Sequence, residues 1–164
     1  MSTLLELATA LQDSPFGTLL AESQYAFPII EGIHLIGLSL SVGLIFLIDL
    51  RLIGVFLKHV PVTQVLHQLR PWVLGGFGAI FVSGILLFWS EAATVIQSPA
   101  FPVKLVFIAI GGLNALYFEL KLAKQQEVID NQPVLPKNVR FAGLASIASW
   151  AVVIIAGRLI PYLP

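Results

Sequence analysis

The chain has no cysteine. That excludes disulfides, thiolate metal sites and haem attached covalently through Cys-x-x-Cys-His. It has little charge: 11% of its 164 residues are charged, against about 25% in soluble domains. No Lys or Arg occurs before Arg51, so the N-terminus lacks the basic region of a cleaved signal peptide. No basic tract suggests a nucleic-acid partner. Histidine is scarce, with His34, His59 and His67 alone, and Met1 is the single methionine.

What the chain has in quantity is apolar sequence. Hydrophobic residues make up 57% of it, and the mean hydropathy is +0.92. Four stretches, about 25–48, 72–90, 103–122 and 141–160, approach the roughly 20 residues that cross a bilayer as a helix. Period-2 alternation is absent, which excludes a barrel. A backbone in lipid must satisfy its own hydrogen bonds, so the spans are helices. The expected fold is all-α: one integral-membrane four-helix bundle, with short loops making sequential helices antiparallel neighbours. Residues 1–24 read as a short amphipathic helix on the bilayer surface, broken near Pro15-Phe16-Gly17.

Basic residues set the expected orientation. Arg51, Lys58 and Arg70 lie around the first loop, and Lys121, Lys124, Lys137 and Arg140 around the third. Both loops are expected in the cytoplasm of a bacterial inner membrane, with both termini outside. The third loop includes a proline-containing turn over 129–138. Glycines and serines recur along all four spans and let helices approach closely; they also leave room for a flat cofactor.

The polar residues within the spans are few, and intramembrane ionisable groups are costly enough to mark function or a buried pair. Glu31 and His34, in "FPIIEGIHLIGLSL", share one helix face at i,i+3. Lys104 opens the third span, Arg158 lies near the end of the fourth, and Asn114 is mid-span in the third. By depth, Glu31, His34, Lys104 and Arg158 can converge in the outer half of the bundle, with Asn114 deeper. A second polar set, Asp49, Arg51, Arg70, Glu119 and Lys121, belongs to the cytoplasmic half. Imidazole is a common iron ligand, so one reading is a haem b or tetrapyrrole site with His34 on the metal and Lys104 and Arg158 on the propionates. The other is a non-catalytic subunit or scaffold of a larger membrane complex or homo-oligomer, in which Glu31, His34 and Arg158 satisfy one another. A bis-histidine haem within one chain is excluded, because His67 lies roughly 15–20 Å from His34 along the membrane normal by helical rise. A Glu-x-x-His motif in one copy does not build a dimetal site, and no nucleophile setting for Ser-His-Asp chemistry is present.

The stretches "FPIIEGIHLIGLSLSVGLIFLIDLRLIG", "LRPWVLGGFGAIFVSGILLF", "SPAFPVKLVFIAIGGLNALYFE" and "AGLASIASWAVVIIAGRLIPY" together resemble an uncharacterised family of bacterial four-helix membrane proteins. The layout is also distantly similar to HemJ-type protoporphyrinogen oxidases and CopD-like membrane domains. The likeness rests on a first-span His before a small-residue stretch, His34 to Gly43, and on Lys104-Leu105 opening a later span. It implies haem b binding, with His34 and Lys104 in the positions of the functional His and Lys. Where HemJ-type third spans carry a Tyr-His pair, this chain has Tyr117-Phe118-Glu119.

Overall fold

The structure is a computed structural model that describes residues 3–122, 130 and 135–163. Most of the turn expected over 129–138, and Lys124, lie outside the described residues. Among the described residues the α-helices are, in order, α1 Thr3–Gln12, α2 Pro15–Glu22, α3 Ala26–Ile53, α4 Val62–Ser90, α5 Ala92–Gln97, α6 Ala100–Tyr117 and α7 Lys137–Leu159. A π-helical turn, Phe118–Leu122, extends α6, and a 3-10 turn, Ile160–Tyr162, extends α7. Four helices, α3, α4, α6 and α7, are long and apolar enough to cross a bilayer. Large apolar side chains such as Ile36, Phe81, Leu113 and Phe141 stay exposed around them. In water such a surface would be a liability, and in lipid it is the expected exterior. The protein is a multi-pass, all-α membrane protein.

Two elements differ from the sequence-based expectation. Helix α4 begins at Val62, ahead of the span expected from 72, with Pro71 inside the helix. Proline removes one helical hydrogen bond and is read in sequence as a boundary, but helices in membrane proteins tolerate it. His67 therefore sits on α4, not in a loop. At the N-terminus the break falls at residues 13–14. Ser14 caps α2 by accepting a hydrogen bond from the Gly17 amide, and Pro15 occupies the first turn, where its missing N–H costs nothing. At the other end of α3, Gly54 adopts φ +85° and closes the helix with its N–H on the Arg51 and Leu50 carbonyls.

α1, α2 and α5 form a cap over one end of the bundle. The Trp89 indole donates to Ser14 Oγ at 3.1 Å and meets the Phe16 ring edge-on. The Ala93 amide donates to Gln12 Oε1 at 3.0 Å. The N-terminal helices are thus docked on protein at this capped end. At the far end, Leu52, Val62, Leu66, Phe118, Val139 and Ala142 form one core cluster.

Helix pairing decides the rest. The main contacts run α4 to α3, α3 to α7, and α7 to α6. Ser41, fully buried, donates to the Val73 carbonyl at 3.1 Å and seats α3 against α4 at Gly37 and Gly76. Gly143 lets α7 lie against the Asp49 carbonyl and Leu52 of α3. Gly111 of α6 lies under the Trp150 ring of α7. The sequential pair α4 and α6 makes no comparable contact, contrary to the expected neighbour order. The two are bridged at the capped end by stacked Phe88 and Phe101 rings, 5.6 Å between centroids. At the far end they are bridged by the Arg70–Glu119 ion pair at 2.7 Å. Between these bridges lies a cleft with α3 and α7 as its floor.

Candidate functional site

The cleft has two chambers. The one nearer the capped end is about 320 Å³ and contains His34 and Lys104. The other is about 400 Å³ and contains Asp49 and Asn114. Phe77, Ile108 and Trp150 line both and form the partition. The Phe77 and Trp150 rings are 5.0 Å apart and tilted by 53°. Each volume lies within the roughly 300–1,000 Å³ of small-molecule sites.

His34 is half-buried, and its Nδ1 lies 2.9 Å from Ser83 Oγ of α4. Ser83 Oγ in turn lies 2.5 Å from the Ala79 carbonyl. Two oxygens this close need a proton between them, and a hydroxyl has only one. Ser83 therefore donates to Ala79 and accepts from His34 Nδ1–H. In the neutral ring this leaves the lone pair on Nε2. Metal-bound histidines are held in this manner, the non-ligating N–H donating to a fixed acceptor. Gly84 makes the arrangement possible: a Cβ there would stand 3.2 Å from His34 Cε1.

Lys104 enters the same chamber from α6. Its ammonium lies beside Gly157, where a Cβ would be 3.5 Å from Nζ. The remaining walls are apolar, with Phe81, Phe88 and Phe101 among them. The chamber thus offers one imidazole nitrogen, one cation and aromatic surface. Those are the groups that a ligand with acidic substituents and a flat apolar body would meet. Among the described residues no three His, Asp or Glu side chains gather as a site for a bare metal ion.

Of the five residues singled out from sequence, the structure brings His34 and Lys104 together and not the others. Glu31 is exposed. Arg158 turns to its own helix end, donating to the Tyr162 hydroxyl at 2.9 Å with its guanidinium over that ring. Asn114 donates to the Ala142 carbonyl at 2.9 Å and lines the other chamber. A Glu31/His34/Arg158 polar cluster is therefore not assembled. Depth had grouped these residues, but depth does not say which way each helix face turns. Sequence reasoning missed Ser83. Its signal was available: Ser83-Gly84 lies about as far from the end of α4 as His34 lies from the start of α3.

A consequence concerns the imidazole itself. In Ser83→Ala the Nδ1–H loses its Ser83 acceptor, a loss of about 1 kcal/mol, and the hydroxyl that selects the tautomer is gone. Nitrogen NMR of labelled His34 is expected to show one dominant Nδ1–H form in the wild type and a tautomer mixture in Ser83→Ala.

The model of a family of unknown function, DUF6644, matches residues 22–163. No curated protein and no solved structure matches the chain.

Proposed function

This chain belongs to the DUF6644 family, and we propose that it is a membrane-embedded protein that binds haem b or a related tetrapyrrole, whose metal His34 would hold. The observation that carries the reading is the His34–Ser83 contact at 2.9 Å inside a lipid-accessible aromatic chamber. The Ser83 oxygen holds Nδ1–H, and Nε2 keeps a lone pair. Lys104, in the same chamber, supplies the positive charge for a propionate. His34 and Lys104 are also the two residues to which the resemblance to HemJ-type proteins assigns importance. Arg158 takes no part. When bound, the group supplies one-electron chemistry or is itself the cargo. The aromatic walls would keep water from a bound group, and Ser83 of α4 holds the orientation of the imidazole.

The same reading places the protein in a bacterial inner membrane. Arg51, Lys58, Arg70, Lys137 and Arg140 all belong to the far end, which supports that end facing the cytoplasm and both termini facing outside.

The test is a visible spectrum of the protein purified in mild detergent from haem-replete cells, first oxidised and then reduced with dithionite. A Soret band at about one haem per chain is the expected result. Colourless protein would overturn the reading and leave the chain as a subunit or scaffold, to be pursued through what co-purifies with it.

A further inference from the structure

The far chamber has a chemistry of its own. Among the described residues two buried side-chain polar atoms lack a hydrogen-bond partner, Asp49 Oδ2 and Arg70 Nε. Both belong to residues that line this one chamber. Asp49 is only 4% exposed. An unpaired buried polar group costs about 1–3 kcal/mol, more when charged, so two orphans on residues that line one cavity call for an occupant.

The orphans constrain what that occupant is. Arg70 Nε–H can only donate, whereas a carboxyl oxygen accepts. A cationic amine would satisfy Asp49 and leave Arg70 unanswered. An anionic head would meet two carboxylates, Asp49 and Glu119, while the Arg70 charge is already committed: its Nη2 reaches both Glu119 oxygens at 2.8 and 2.7 Å. What satisfies both atoms is a neutral head carrying hydroxyl oxygens. The partition adds a shape requirement, since the Phe77 and Trp150 rings present aromatic surface on which a flat ring packs well. The space between α4 and α6 lets an apolar tail leave sideways into lipid.

We propose that the far chamber, between Asp49, Arg70 and the Phe77/Trp150 partition, binds the ring of a lipid-soluble quinol. One ring hydroxyl donates to the Asp49 carboxylate, the other accepts from the Arg70 Nε–H, and the tail runs out between α4 and α6. The proposal stands on this chamber alone and does not need a tetrapyrrole at His34.

Trp150 borders the chamber and reports on it. With Trp72→Phe and Trp89→Phe as background, it is the single tryptophan, and a quinol ring packed on the indole changes its emission. Titrating decylubiquinol, kept reduced, into this protein in lipid nanodiscs is expected to give a saturable change in that emission, and decylubiquinone, whose oxygens only accept, is expected to bind more weakly. Asp49→Leu, which removes the acceptor, and Arg70→Lys, which keeps the charge for Glu119 but loses Nε–H, are each expected to weaken binding about tenfold. Asp49→Asn retains an acceptor oxygen and is expected to restore most of it. Decanol, a tail without a ring, is expected not to compete. Absence of a saturable change with decylubiquinol would mean that water alone fills the chamber, and would overturn the proposal. Unchanged affinity in Arg70→Lys, or displacement by decanol at equal concentration, would reduce the chamber to a groove for lipid tails and would equally overturn it. If Asp49→Leu does not elute as folded protein, Arg70→Lys and the decanol competition decide.

Discussion

His34→Ala is expected to abolish the Soret band entirely while the protein remains folded. His34 is the one imidazole in the cleft. His59 lies in the turn after α3, and His67 lies on the far part of α4, facing the groove shared with Asp130. Neither can substitute. Lys104 remains in the chamber, but its ammonium must lose a proton before it can ligate a metal, and in the present reading it holds a propionate instead. The structural cost of the substitution is modest. Ser83 loses one partner but keeps its bond to the Ala79 carbonyl, so no buried donor is orphaned, and a loss near 1 kcal/mol follows from the one hydrogen bond removed. The variant should therefore elute and melt close to wild type, and free imidazole added during haem loading should restore part of the band. A Soret band of full height in His34→Ala, with elution unchanged, would sink the assignment of the axial ligand.

The second large effect is on assembly. Gly76→Leu is expected to lower the melting temperature in detergent by roughly 5–10 °C, and Gly75→Leu to leave it within about 1 °C. The two glycines are adjacent and equally apolar in context. At Gly76 any Cβ would collide with the Ser41 hydroxyl and press on the Gly37 carbonyl. Ser41 is fully buried and tied to the Val73 carbonyl at 3.1 Å, so it cannot step aside without breaking that bond. The helices must separate instead, and α3 forms part of the floor of both chambers. A Cβ at Gly75 meets nothing within 4 Å. Thermal unfolding of the two variants side by side, followed by loss of monodisperse elution, distinguishes them. Equal destabilisation would show that the α3–α4 contact does not depend on this seat.

How much of this was legible beforehand follows from where each piece of information resides. Hydrophobic length and the scarcity of charge are local properties, and in lipid they leave the backbone a single solution. Four spanning helices and an all-α fold were therefore readable from residues alone. So was the placing of His34 and Lys104 within apolar spans, because a polar group is conspicuous there. Proline is a local signal with two outcomes. Pro71 lies inside α4, and the break expected near Pro15 falls just before it, where Ser14 caps and the proline starts α2.

The chain by itself determined that it crosses a membrane as helices and that a few polar residues would have to be accommodated there. Only the tertiary structure decided which helices touch. Lipid offers no hydrophobic preference for one helix face over another, so the order α4, α3, α7, α6 is set by close steric fit at a few small residues. Gly37, Gly76, Gly111 and Gly143 make those contacts, and Gly32, Gly43, Gly75, Gly78 and Gly112 do not, though all look alike in sequence. That order parts α4 from α6, opens the cleft, sets Ser83 behind His34, and turns Arg158 away to Tyr162. Each is a relation between residues far apart in the chain, settled by shape rather than by composition.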